Sequence, residues 1–253
     1  MIMEKRSIKI NREAQQSVRI QTSVFNALEK SILVGIAKRL PKWVKSDGLT
    51  AFGIFGSMVV ALGFILSNID IHYLWLSSLG LVINWFGDSL DGTIARVRGT
   101  QRRIYGFFLD HNVDGITISI MAIGAGLSPF VHLPLAMGVL VSYLLLSIYV
   151  YISAHLKGEF KLTYAKMGPT EFRILIILMN TVFMYVPCIR DFRRDFTVFD
   201  RTMTFTLFDY GVALIMIILL VIYVTTLVQD IRAYAILDPL PEPKTDESSD
   251  RCH

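Results

Sequence analysis

GDSLDGTIARVRGTQRRIYGFFLDHNVDG, residues 87–115, sets four aspartates at helical spacing inside an otherwise strongly apolar chain. Ionised side chains at membrane depth are costly, so they read as a functional site by default. Asp88 and Asp91 stand three apart with Gly92 and Ala95 on the same stripe, while Gly106, Asp110 and Asp114 repeat every four residues. Each spacing predicts a helix with an acidic face. Arg96, Arg98, Gly99, Arg102 and Arg103 lie between, in a polar segment short enough to fold the two helices into an antiparallel hairpin. Counted from Thr100 as the turn, Asp91 and Asp110 lie about ten residues away on either side, which places them at similar depth. All four carboxylates are therefore expected to meet. Like charges at close range repel and raise one another's pKa, so such a cluster implies a cation. Oxygen ligands with no cysteine nearby favour a hard ion, magnesium before manganese or calcium, and a pair of ions would neutralise a bound diphosphate.

The composite pattern Asp88-x-x-Asp91-Gly92-x-x-Ala95-Arg96, then Gly106-x-x-x-Asp110-x-x-x-Asp114, resembles the signature of the CDP-alcohol phosphotransferases, integral membrane enzymes of phospholipid synthesis. All eight signature positions are present, and nine residues separate Arg96 from Gly106, which leaves both stripes in phase. The resemblance implies a transferase in which a hydroxyl attacks the phosphorus of a CDP-alcohol and expels CMP. It implies Asp88, Asp91 and Asp110 as principal metal ligands, with Asp114 both near the metal and the candidate base. It implies nucleotide contacts at Gly92, Ala95, Arg96 and Gly106: small residues let a pyrimidine or ribose approach the backbone, and Arg96 can pair with phosphate. Two Mg2+ or Mn2+ ions and a homodimer follow from the same resemblance. The donor expected is CDP-diacylglycerol with a small hydroxylated acceptor; the alternative is a CDP-choline or CDP-ethanolamine with diacylglycerol. An intramembrane prenyltransferase, with its own aspartate-rich motifs, and a divalent-cation transporter are more distant readings. Gly92, Ala95, Arg96 and the Gly106 spacing argue against the first, and an arginine inside the motif argues against the second.

The rest of the chain fits a membrane enzyme. Hydrophobic residues make up 53%, charged residues 18%, and mean hydropathy is +0.51, far from an average soluble domain. Six apolar runs, at about 49–69, 72–96, 104–126, 130–156, 171–189 and 205–232, are each long enough to span a bilayer as a helix. They lack the period-two alternation of barrel strands, so the fold class expected is an all-α membrane bundle. The domain plan is a segment 1–48, a catalytic bundle 49–235 and a tail 236–253 rich in Pro, Asp, Glu and Ser that is expected to be disordered.

Basic residues set the orientation. The N-terminal segment, Arg96 to Arg103, and the loop with Lys157, Lys161 and Lys166 share one side in a six-helix count, which should be cytosolic. The loop from Cys188 to Thr204 dissents with Arg190, Arg193, Arg194 and Arg201, accompanied by Asp191, Asp195 and Asp200. The first sixteen residues are polar and carry no cleavable secretory signal. Between Val24 and Trp43, Phe25, Leu28, Ile32, Ile36 and Leu40 recur at three and four residues beside Lys30, Lys38 and Arg39, which predicts an amphipathic helix lying along the membrane surface. Cys188 and Cys252 match no metal spacing, and the net charge of +4, concentrated at membrane boundaries, suits anionic headgroups better than nucleic acid.

A few other polar residues stand near the motif. Asn84, one turn before Asp88, could orient a ligand or bond between helices. His111 follows Asp110, and an Asp-His pair resembles the choline and ethanolamine branch of the family. Glu171 and Arg173, after Gly168, Pro169 and Thr170, could line an acceptor pocket, while capping explains Thr170 and Glu171 equally well.

Overall fold

A computed structural model describes residues 26–157, 169–198 and 201–240. Val24, Phe25, Lys161, Lys166, Gly168, Asp200, Cys252 and nearly all of the acidic tail lie outside them. Each of the six apolar runs forms a helix: α2 (Ser46–Leu66), α3 (Leu74–Val97), α4 (Arg103–Gly126), α5 (Leu133–Lys157), α6 (Pro169–Tyr185) and α8 (Leu207–Leu237). They are joined by α1 (Asn26–Arg39) before them and a single turn, α7 (Pro187–Arg190), ahead of α8. Among the described residues three stretches, Ser46–Leu66, Leu133–Ser153 and Leu207–Leu237, are long and apolar enough to cross a membrane. The others are shorter or more polar: α6 has 17 residues, and α3 and α4 carry the aspartates.

One element departs from the all-helical plan. The segment expected as a loop from Cys188 to Thr204 instead contains α7 and an antiparallel hairpin, β1 (Arg193–Val198) with β2 (Arg201–Thr206). The physical reason is a run of Thr, Val and Phe, which fit a pleated ribbon. Arg193 stands opposite Thr206 and Asp195 opposite Thr204, whose hydroxyl donates to the Asp195 carboxylate at 2.7 Å.

Small residues lock α2 to α3. A Cβ added at Gly56 would strike the Asn84 backbone, at Gly63 the Ser77 backbone, at Gly80 the Val60 backbone and at Gly87 the Gly53 backbone. Such close approach maximises dispersion and backbone contact where lipid supplies no hydrophobic force between helices. It also holds α3 at a set height and rotation. α2 packs on α4 as well, whereas α3 and α4 touch each other little. The expected hairpin of α3 and α4 is thus splayed, with α2 lying against both. Gly99 makes the turn possible: at φ 66° it adopts the left-handed conformation that ends α3, and Thr100 N–H bonds back to the Ala95 carbonyl.

The bundle has two distinct ends. At one, the Arg98 guanidinium donates to the carbonyls of Leu40, Pro41 and Val44, tying the α1–α2 link to the end of α3. At the other, Asn68 donates to the Leu127 carbonyl, and the Thr206 hydroxyl to the Phe130 carbonyl. One hydrophobic cluster, with Leu74, Leu81, Phe130, Phe183 and Phe208, fills the second end, and a smaller one, with Leu33, Ala37, Leu49, Leu90 and Ile94, sits beneath α1. Along α3 the two are separated by the stretch that carries Asn84 and Asp88. α1 itself stops at Arg39 rather than running to Trp43, because Pro41 disfavours helical backbone just before it. Its Leu33 and Ala37 are buried, while Lys30, Lys38 and Arg39 are exposed.

Candidate active site

Asp88 on α3 and Asp110 and Asp114 on α4 converge: one carboxylate oxygen from each lies within 4.8 Å of the other two, and all three side chains are half-buried. Helical spacing explains the α4 pair, since positions four apart stand above one another on one face. The cavity in front of them is lined by Thr50 and Gly53 of α2, Asn84, Asp88 and Asp91 of α3, Asp110, Val113, Asp114 and Thr117 of α4, and Arg173 of α6. All four aspartates of the opening motif therefore face one cavity.

Their arrangement differs from the expected one in a specific way. Counting from Thr100 pairs Asp91 with Asp110, but the splay of α3 and α4 puts Asp88 opposite Asp110 and Asp114. Asp91 is turned toward α2. Its Oδ2 accepts from the Thr50 hydroxyl at 2.6 Å, its Oδ1 from the Gly92 backbone N–H, and its carbonyl from the Ser46 hydroxyl at 2.9 Å.

One cation is already at the cluster. Arg173 Nη2 lies 2.7 Å from Asp88 Oδ2, with the side chains 16% and 31% exposed, so this ion pair is screened less than a surface one. Asn84 aims the guanidinium: its Oδ1 accepts from Arg173 Nε at 3.1 Å while its Nδ2 donates to the Gly53 carbonyl at 3.0 Å. Asn84 is 3% exposed and bonds between helices, one of the two roles its position suggested.

The four positions expected at the nucleotide are not among the residues lining this cavity. Gly92, Ala95 and Arg96 occupy the last turns of α3, where the Arg96 Nη2 donates to the Thr93 hydroxyl at 2.8 Å and its Nη1 would lie 3.3 Å from a Cβ placed at Gly92. Ala95 is buried. Gly106, one turn before Asp110, is exposed, and a Cβ there would meet nothing within 4 Å. The His111 ring stacks between Phe107 and Tyr151, with centroids 4.0 and 4.6 Å away, and its Nδ1 is 3.7 Å from Asp110 Oδ2, beyond hydrogen-bond range.

A carboxylate outside the motif was not foreseen. Glu29 of α1 accepts from Trp85 Nε1 at 2.8 Å, from the Ser89 hydroxyl at 3.2 Å and from the Thr170 hydroxyl at 3.0 Å. Thr170 is inside the first turn of α6, so its hydroxyl joins helices rather than capping one. The available signal was an acid on the stripe of Leu33 and Ala37, four and eight residues before them. Thr50 had a comparable signal, lying three residues before Gly53 on the glycine-lined face of α2.

A bundle of apolar helices with an acidic cavity reached from several of them defines a membrane-type protein whose carboxylates are grouped as for a cation. The family model for CDP-alcohol phosphatidyltransferases matches residues 43–237, which takes in α2 to α8, and the chain belongs to that family. No curated protein matches the chain. Membership supports transferase activity on a CDP-alcohol in phospholipid biosynthesis, and it displaces the prenyltransferase and cation-transporter alternatives. The donor set fits a hard divalent ion: three oxygen ligands in mutual reach, with no cysteine or histidine among them.

Proposed function

We propose that the protein moves a phosphatidyl group from CDP-diacylglycerol to the hydroxyl of a small acceptor, releasing CMP. The observation that carries the reading is the convergence of Asp88, Asp110 and Asp114, with Asp91, on one cavity from the signature positions of the family. In this reading Asp88, Asp91, Asp110 and Asp114 hold magnesium or manganese, in two ions. Bound there, the ions would screen the diphosphate and stabilise the departing CMP. Asp114 takes the proton of the attacking hydroxyl as the new oxygen–phosphorus bond forms and the bond to the CMP oxygen breaks. Gly92, Ala95, Arg96 and Gly106 present the nucleotide side, with Arg96 turning from Thr93 to phosphate. The bundle crosses the membrane six times as a homodimer, with α1 on the cytosolic surface and the basic end and the active site facing the cytosol; in a bacterial cell this is the inner membrane.

A second reading, transfer from CDP-choline or CDP-ethanolamine to diacylglycerol, is favoured by His111 beside Asp110. One experiment separates them. Purified protein with magnesium is given CDP-diacylglycerol and a panel of water-soluble alcohols, or CDP-choline and CDP-ethanolamine with diacylglycerol, and CMP is measured. Release in the first arm is expected, release only in the second supports the alternative, and none from any CDP-alcohol overturns both.

A further inference from the structure

Asp88 answers to two cations. It belongs to the three-carboxylate group with Asp110 and Asp114, and it is ion-paired to Arg173 at 2.7 Å. Arg173 takes one oxygen of the Asp88 carboxylate, and a divalent ion on the same group would repel the guanidinium, more strongly where solvent is partly excluded. Arg173 is placed there by more than its own charge. Asn84 holds its Nε, and Thr170, three residues earlier on α6, is hydrogen-bonded through Glu29 to Trp85 and Ser89 on either side of Asp88 along α3. The first turn of α6 is thus pinned to the helix that carries Asp88, and the arginine is delivered to that carboxylate by two independent contacts.

We propose that Arg173 is the resident counter-ion of the metal site: it neutralises Asp88 until a divalent ion takes that carboxylate, and is then handed to a phosphoryl group bound beside the metal. The proposal rests on the reading of Asp88, Asp110 and Asp114 as cation ligands. It gives Arg173 a role that a simple acceptor-pocket lining does not require, because a divalent ion on Asp88 draws that carboxylate's charge away from the guanidinium. Three carboxylates acting together on one ion can win over a single ion pair, and the released guanidinium, always charged and shaped for paired oxygens, is suited to phosphate. Metal entry and phosphate capture become two halves of one movement. An empty site with its carboxylate already paired also avoids the cost of a half-buried, uncompensated charge.

The test uses the full-length protein in detergent and Mn2+ as the probe, read as free Mn2+ by electron paramagnetic resonance in the absence of any nucleotide. Arg173→Gln should bind Mn2+ about tenfold more tightly than wild type, within the range typical of coupled sites. Arg173→Lys, which keeps the charge should the neutral variant fail to fold, loses the Asn84 contact and should shift affinity the same way by a smaller factor. With Mn2+ saturating, Arg173→Gln should bind CDP or inorganic phosphate about tenfold more weakly. A loss confined to CDP assigns the guanidinium to the donor diphosphate, and one confined to phosphate assigns it to the acceptor side. Mn2+ affinity that is equal or weaker in both variants overturns the proposal while leaving the metal reading intact. Unchanged affinity for both anions overturns the hand-over. A wild type that binds no Mn2+, with or without CDP, overturns the metal reading and this inference together.

Discussion

Asp209 and Asp88 are both aspartates on long apolar helices, and their surroundings treat them in opposite ways. Asp209, in the first turn of α8, is 1% exposed and accepts backbone N–H bonds from His132 and Thr206, both at 2.8 Å. His132 Nδ1 and the Thr206 hydroxyl stand 3.0 and 3.1 Å from its Oδ2. Two backbone N–H groups point at it, and the carboxylate closes the link from α4 to α5 onto the start of α8 as one half of a capping box. Asp88 is instead half-buried at a cavity, with Asp110 and Asp114 as neighbours and one arginine against it. A carboxylate surrounded by donors holds a fold together. Carboxylates crowded against one another repel, and a cation relieves that repulsion.

The strongest way to break this contrast is at the acidic cavity. Asp88→Asn and Asp110→Asn should each cut turnover by several orders of magnitude; without metal the thermal midpoint in detergent should stay level or rise for Asp110→Asn, where removing a charge relieves repulsion, and fall for Asp88→Asn, which takes the carboxylate from Arg173. Addition of magnesium should raise the midpoint of wild type and raise that of either variant less. Asp114→Asn separates chemistry from binding: as the base it should lose most turnover yet keep much of its affinity for the CDP-alcohol in magnesium, since Asp88, Asp91 and Asp110 remain. Wild-type turnover in two of the three would remove the cavity as the active site. Nucleotide affinity lost by Asp114→Asn as fully as by Asp91→Asn would make Asp114 a ligand and leave the proton to another group.

The same contrast shows what the sequence alone could tell. The acidic stripes were legible because helical periodicity and the expense of charge in apolar surroundings are local facts, and so were the six helical runs. The family signature was legible for the same reason. The partners of those aspartates were not. Thr50, which holds Asp91, lies in an apolar stretch 41 residues away from it, and its role depends on how the glycines of α2 seat against α3. The splay of α3 from α4, which exchanges Asp91 for Asp88 opposite Asp110, is likewise decided by α2 packing against both. Glu29 and Asp209 show the limit most clearly, since each closes contacts across at least 56 residues and neither lies in a motif. The β1–β2 hairpin, read as loop, was obscured by the five charged residues between 193 and 206.

At Asp209 the expected effect falls on stability. Asp209→Ala leaves the backbone N–H groups of part-buried His132 and buried Thr206 without their acceptor and should destabilise the protein by about 3 kcal/mol, the scale for breaking a buried polar network. Turnover per folded molecule should change little, because nothing in that network reaches the cavity. Denaturant titration alongside CMP release from the refolded fraction checks both halves. A variant as stable as wild type but inactive would erase the distinction between the two aspartates.

The smallest effect concerns two glycines, and it sharpens the contrast from packing to binding. At Gly56 a methyl group would collide with the Asn84 backbone, so Gly56→Ala should force α2 away from α3, cost about 1–3 kcal/mol as overpacking does, and disturb Asn84 and Arg173 with it. At Gly106 a Cβ meets nothing within 4 Å, so Gly106→Ala should leave stability level or raise it by about 1 kcal/mol through helix propensity. If that open space is where the nucleotide approaches the α4 backbone, the methyl group should still weaken CDP-alcohol affinity, by about threefold to tenfold for a loss of about 1 kcal/mol of contact. The measurement is a pair of melts with CDP-alcohol titrations in saturating magnesium. A Gly106→Ala protein that is more stable and binds the nucleotide as wild type does would leave Gly106 out of the binding surface, and would place the nucleotide on Gly92, Ala95 and Arg96 alone.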